Sequence, residues 1–184
     1  DLPATLAVLE ATDGRIAPDT VRAALNDDTA AVVVQSPNAW GLIEDWDGCF
    51  AAAHEAPKAS AVAVFNPLAA ALLRRPGECG ADIAAGEGQS LGNWLNLGGP
   101  YLGLLAARES YTRKMPGRLV GMTSDSEDRR AFCLTLQTRE QHISGAKATS
   151  NVCTNQGLMA MRATMFMTTL GGEGLTELAS QCWH

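Results

Sequence analysis

Residues Lys147 to Gln156 read Lys-Ala-Thr-Ser-Asn-Val-Cys-Thr-Asn-Gln, and a long apolar run follows at once. Small hydroxyl and amide side chains cap helix starts, because their oxygens accept first-turn N–H groups that have no partner within the helix. Those same N–H groups, with the positive end of the helix dipole, suit an anion. No other segment is so dense in small polar groups with so little charge. Cys153 lies in this segment, where a thiol pKa can be lowered; packing under the cap is the simpler role for it.

Other residue types that do chemistry are more scattered. The three lysines are Lys58, Lys114 and Lys147. A lysine that forms an imine normally sits at the end of a buried strand beside glycine or small polar groups. Here that place holds Gln89-Ser90. The histidines, His54, His142 and His184, are far apart and none lies in an HExxH, so a metal site is not expected. The cysteines, Cys49, Cys79, Cys133, Cys153 and Cys182, form no CxxC pair, which argues against a zinc ribbon or redox dithiol. Gly86-Glu87-Gly88 and Gly98-Gly99-Pro100 match neither GxGxxG nor a Walker A loop and read as glycine-rich turns. No G-x-S-x-G elbow is present.

The elements that must position these residues alternate. Pro18 to Leu25 reads as a helix with proline in its first turn. Ala30 to Gln35 is a β-branched run typical of a parallel strand buried on both faces. Leu42, Ile43, Trp46, Cys49, Phe50 and Ala53 recur at helical spacing. Further strands are expected at Ala61 to Phe65, Ala81 to Ala85 and Tyr101 to Ala107, with a short helix at Leu68 to Leu73. A short helix at Glu109 to Met115, a charged loop at Asp125 to Arg130, a strand at Ala131 to Leu136 and a helix from Thr138 follow. Strands alternating with helices mean an α/β fold with a largely parallel sheet. Ligands in such sheets sit beyond the carboxyl ends of the strands. Those ends are Gln35 to Asn38, Asn66-Pro67 and Gly86 to Ser90.

The 184 residues suffice for one domain with a real core, and 46% apolar with 18% charged residues is a globular composition. A net charge of −6 argues against nucleic-acid binding, which needs clustered Lys and Arg. No apolar run reaches about 18 residues without Arg or Gly, so no membrane span is expected. An odd cysteine count without a signal peptide suits a reducing cytoplasm. The chain opens at Asp1-Leu2-Pro3 without an initiator Met and stops inside a helical pattern, which reads as a piece of a longer protein. We expect residues 1–184 to be one incomplete domain, with alternating strands and helices over 1–108 and a loop, strand and helices over 109–184. The helix after Asn155 carries apolar residues on most of its surface, so the piece is expected to self-associate.

The run Lys147 to Gln156 resembles a signature of the glycine cleavage system P-protein, the pyridoxal-phosphate-dependent glycine decarboxylase. It is most similar to subunit 1, the homologue of the N-terminal half where the enzyme is split. Supporting runs are Ala31 to Asn38 with Gly41 to Asp45, Gly80 to Ser90, Gly98 to Gly103, Met115 to Gly121 and Leu134 to His142. They cover nearly the whole chain in order.

The resemblance implies the C-terminal portion of a fold-type I, pyridoxal-phosphate-dependent transferase-like large domain, its mostly parallel sheet flanked by helices. It implies an oxidoreductase of glycine catabolism assembled as an α2β2 heterotetramer with subunit 2, which carries the cofactor lysine. The partner would decarboxylate glycine and pass the aminomethyl group to the lipoyl arm of H-protein. Counting back from Gly98-Gly99-Pro100, Gln89 stands at the position of that lysine, and Asn66 falls near that of the aspartate that pairs with the pyridine nitrogen. Neither amide does the corresponding job, so this chain is not expected to be a catalyst alone. Thr154, with Asn155 and Ser150, would then contact the phosphate of the cofactor held by subunit 2. The competing role is N-capping with interface packing. The chain departs from the family at Ser144-Gly145, where two basic residues are usual, and at Ser124 to Asp128, where an acidic-glycine turn is usual. The first change would weaken an anion or carrier-protein contact. The alternative function is a stand-alone interaction or structural piece, or a diverged paralogue without catalysis.

Overall fold

The structure, a computed structural model, describes residues 4–136, 141–148 and 156–183. The first helix, α1 (Pro18–Ala24), opens with proline in its first turn, where the missing N–H costs nothing, and buries Val21. Strand β1 (Ala31–Ser36) follows, and then α2 (Trp46–Ala53). The Asp45 side chain caps α2 by accepting the N–H of Gly48 at 3.0 Å. The helical spacing of apolar residues from Leu42 suggests an earlier start. Leu42 instead lies in the loop, its N–H donated to the Asn38 side chain at 3.0 Å. Strands β2 (Ser60–Phe65), β3 (Ile83–Glu87) and β4 (Gly103–Ala107) complete a sheet of order β1-β2-β3-β4. The β1–β2 and β2–β3 pairs are parallel. α2 lies between β1 and β2, and two 3₁₀ turns, Ala69–Ala71 and Pro76–Cys79, lie between β2 and β3, where the sequence suggests one short helix at Leu68 to Leu73.

One face of the sheet carries the core: Val34, Ala61 and Ala63 from the strands against Val21, Trp46, Cys49, Phe50, Ala52 and Ala53. Trp46 stacks on Phe50 with ring centroids 6.0 Å apart. Its indole N–H, which burial would otherwise leave unpaired, donates to the Val34 carbonyl at 3.1 Å. The opposite face of β1 is not covered. Val33 is 62% exposed, and residues alternate along the strand. The expectation of a strand buried on both faces therefore fails for β1, because among the described residues α2 covers one of its faces and nothing packs on Val33.

The chain divides into two compact units, residues 1–106 with 159–184, and residues 107–158. The second holds a 3₁₀ stretch (Glu109–Lys114), an antiparallel hairpin of β5 (Leu119–Ser124) and β6 (Arg130–Thr135), and the short α3 (Gln141–Ser144). Strand β5 is not anticipated from sequence: Gly121 and Ser124 interrupt its pattern, and it forms by pairing with β6. The long α4 (Gly157–Trp183) is broken at Gly171, whose φ of 64° leaves the helical region. No helix among the described residues is long and apolar enough to cross a membrane.

Candidate functional site at the strand ends

Parallel pairing sets three strand ends at one level. Ser36 pairs with Phe65, and Phe65 with Gly86. The backbone can approach this closely because residue 86 has no side chain: a Cβ there would lie 2.8 Å from the Phe65 carbonyl oxygen. The polar residues following β1, β2 and β3 thus come to one edge of the sheet, where open α/β folds bind ligands.

After β1, buried Ser36 accepts the Glu44 N–H on its Oγ at 3.1 Å. Asn38 Oδ1 accepts the N–H groups of Trp40 and Leu42, and its Nδ2 donates to the Gly14 carbonyl and to Glu44 Oε1, both at 2.7 Å. Glu44 Oε2 accepts the Ile16 N–H at 3.0 Å. Asn38 and Glu44 therefore brace this loop against the segment before α1.

After β2, the exposed Asn66 accepts the N–H groups of Leu68 and Ala69 on Oδ1, at 2.9 and 3.3 Å. Its side chain caps the following 3₁₀ turn. After β3, Glu87 accepts the Leu102 N–H on one carboxylate oxygen and the Gln89 N–H on the other, at 3.1 and 2.9 Å. Gly88 N–H donates to the Leu102 carbonyl at 2.7 Å. These bonds close the neck of the loop between β3 and β4.

Within that loop Gln89 and Asn93 hold each other. Gln89 Nε2 donates to the Asn93 carbonyl at 2.9 Å, and the Asn93 N–H donates to the Gln89 carbonyl at 3.0 Å. Asn93, only 4% exposed, also donates from Nδ2 to the Gly88 carbonyl at 3.2 Å. Asn93 Oδ1 and Ser90 Oγ are buried without a hydrogen-bond partner among the described residues. The sequence motifs do not mark Asn93, although two amides four residues apart in a glycine-rich loop are a readable signal. The first half of α4 packs on this loop. Phe166 lies against Gly92, where a Cβ would meet the ring at 2.6 Å, and the Arg162 guanidinium stacks 5.5 Å from the Trp94 ring centroid.

The structure thus brings Asn66 and Gln89 to adjacent strand ends. Thr154, Asn155 and Ser150 lie outside the described residues, immediately before α4. The edge offers neutral amides and hydroxyls, and its carboxylates are taken up, Glu87 by backbone N–H groups and Glu44 by the Ile16 N–H and Asn38. Among the described residues such a surface binds by hydrogen bonding and brings no amine or unpaired carboxylate to these strand ends. Cys49 is no nucleophile at neutral pH, because burial, aided by Asp45 and Glu44, pushes its thiol up to about 11. Among the described residues no group of three or more His, Cys, Asp or Glu could hold a metal.

A family model described as glycine cleavage system P-protein matches residues 6–184. The chain belongs to the P-protein family. It is 50% identical over 177 residues to a probable glycine dehydrogenase (decarboxylating) subunit 1 of Moorella thermoacetica, covering 96% of this chain and 40% of that protein. It is 52% identical over 170 residues to the protein of the same description in Thermomicrobium roseum, covering 92% and 38%. A crystal structure of glycine decarboxylase (P-protein) of the glycine cleavage system, in inhibitor-bound form, superposes with a TM-score of 0.86 at 46% identity, over 96% of this P-protein chain and 39% of that one. The α/β fold is the one it shares with that P-protein. The chain spans about 40% of the length of the curated relatives it matches.

Proposed function

We propose that this chain is part of subunit 1 of a glycine decarboxylase, the subunit that lacks a cofactor lysine. In that assembly subunit 2 holds pyridoxal phosphate. Glycine loses its carboxylate there, and the remaining aminomethyl group passes to the lipoyl arm of H-protein. The observation that carries this reading is the fate of the two amides. Asn66 spends its oxygen capping a turn, and Gln89 spends its Nε2 on the Asn93 carbonyl. We assign Gln89 to the position of the lost lysine and Asn66 to that of the lost aspartate. An amide forms no imine and holds no pyridinium proton, so these residues do not fit the cofactor as a covalent guest.

The contribution of this chain is then to structure the assembly. We assign Thr154, with Asn155 and Ser150, to the phosphate of the partner's cofactor, through side-chain and helix N-terminal donors. The free buried thiols of Cys49 and Cys79 suit a reducing compartment, in our reading the cytoplasm.

The test uses borohydride reduction followed by peptide mapping. This chain, incubated with pyridoxal phosphate and a subunit 2, should acquire no stoichiometric label, while a lysine of subunit 2 should. Glycine–bicarbonate exchange should require both polypeptides. Stoichiometric reduction onto Lys58, Lys114 or Lys147 would overturn the assignment. In the reconstituted complex Thr154→Val should weaken cofactor binding, and unchanged affinity would reduce Thr154 to a cap.

A further inference from the structure

We infer that the β3–β4 loop, residues 88–102, is a strained strap that the first half of α4 holds shut and that opens as a unit without global unfolding. The inference is independent of the function proposed above.

Two kinds of strain favour the open loop. Ser90 Oγ and Asn93 Oδ1 are enclosed by protein with no hydrogen-bond partner among the described residues. An enclosed polar atom without a partner has given up its bonds to water, and regains them only when water reaches it again. Both atoms lie in the same turn, so one opening hydrates both. The backbone adds to this. Leu97 holds φ at 46°, in the left-handed region that disfavours any residue with a Cβ. Its side chain is 99% exposed, so no packing of its own offsets that cost.

What opposes opening is the neck and the cover. At the neck, the N–H groups of Leu102 and Gln89 donate to Glu87, which is exposed, so water competes for both bonds. The cover is α4. Its Phe166 ring lies against Gly92, whose φ of 78° and missing side chain let the ring close onto the backbone. Its Arg162 guanidinium stacks on Trp94. These contacts fall on both sides of Asn93, next to the unpartnered oxygen. Withdrawing Phe166 admits water to Asn93 and Ser90. It also releases the two bonds by which Gln89 and Asn93 clasp each other. The seat of α4 therefore governs access to the end of β3.

Native-state amide exchange on this chain, read by NMR at low denaturant concentrations, tests the strap. In the wild type the amides of Leu91, Asn93 and Gly99 should exchange through a local opening that depends little on denaturant, ahead of the amides of β2. Ser90→Ala removes an enclosed hydroxyl that has no partner, so it should slow their exchange, by about tenfold. An ordinary truncation of a buried side chain does the opposite. Phe166→Ala takes the ring off Gly92 and should speed their exchange about tenfold or more, with circular dichroism checking that the variant folds. Loop and β2 amides that exchange together, with one denaturant dependence, overturn the inference, because the loop then opens only with the core. Exchange that is unchanged or faster in Ser90→Ala overturns it by showing no strain at that atom. Unchanged loop exchange in a folded Phe166→Ala overturns it by showing that α4 does not hold the strap.

Discussion

At the scale of single residues, burial decides which groups can react. Cys49 and Cys79 are buried, whereas Cys133 and Cys182 are exposed. Burial, the largest cause, pushes both buried thiols upward, Cys49 to about 11. A thiol reagent at neutral pH should modify Cys133 and Cys182 rapidly and reach Cys49 and Cys79 only on unfolding. The sign of the linkage follows. The folded state holds the Cys49 proton more tightly than the unfolded chain, so its contribution is intact below the ordinary thiol range. It is lost as pH rises from about 8.5 through about 11. Thermal unfolding followed across that window should show a falling midpoint, and Cys49→Ser should flatten the fall. Phe50 is fully buried and stacks on Trp46. Phe50→Ala should cost about 3–5 kcal/mol in denaturant titrations, the range for removing a core aromatic.

At the scale of elements, two small features hold the strand-end edge. The first is the cap on α2, the helix that covers β1 and β2. Asp45→Ala removes the acceptor for the Gly48 N–H and should cost about 1 kcal/mol. The second is the seat of the β3–β4 loop on α4. Gly92 has a φ of 78°, and a Cβ there would strike the Phe166 ring. Gly92→Ala should lower the unfolding midpoint and speed amide exchange in residues 88–102, whereas Gly103→Ala, with open space around it and no positive φ, should perturb the fold less. Several elements are readable from composition. The β-branched run from Ala30 and the apolar run from Ala61 to Phe65 need only local pattern, and β1 and β2 form there. Leu42 and Ile43 mislead because helical spacing persists into a loop. The Asn38 side chain wins there by offering the backbone another acceptor. Strand β5 is hidden because Gly121 breaks its pattern, and its partner lies beyond a charged turn stabilised by Asp125.

At the scale of the whole molecule, the strand-end residues act through their neighbours. On the assignment proposed above, Gln89→Lys should not by itself hold pyridoxal phosphate tightly and stoichiometrically in this chain, since Asn66 offers no carboxylate to hold a pyridinium proton and is committed to its turn. Absorbance in the visible with pyridoxal phosphate, before and after borohydride, checks this. A stable coloured adduct in the single variant would mean the pocket is less degenerate than its amides suggest.

The sequence by itself determined the alternation of strands and helices, and hence an α/β fold. Its runs around Lys147 to Gln156 and Gly98 to Gly103 also pointed to the P-protein family. Such patterns are local: hydrophobic period, turn residues and contiguous motifs survive without any knowledge of contacts. Only the tertiary structure decided that the ends of β1, β2 and β3 lie side by side, that Gln89 and Asn93 close a loop on each other, and that Met122 and Phe132 share an uncovered face. These are pairings between groups whose hydrogen-bond partners and solvent exposure are set by register and packing, and a residue's type alone does not carry them.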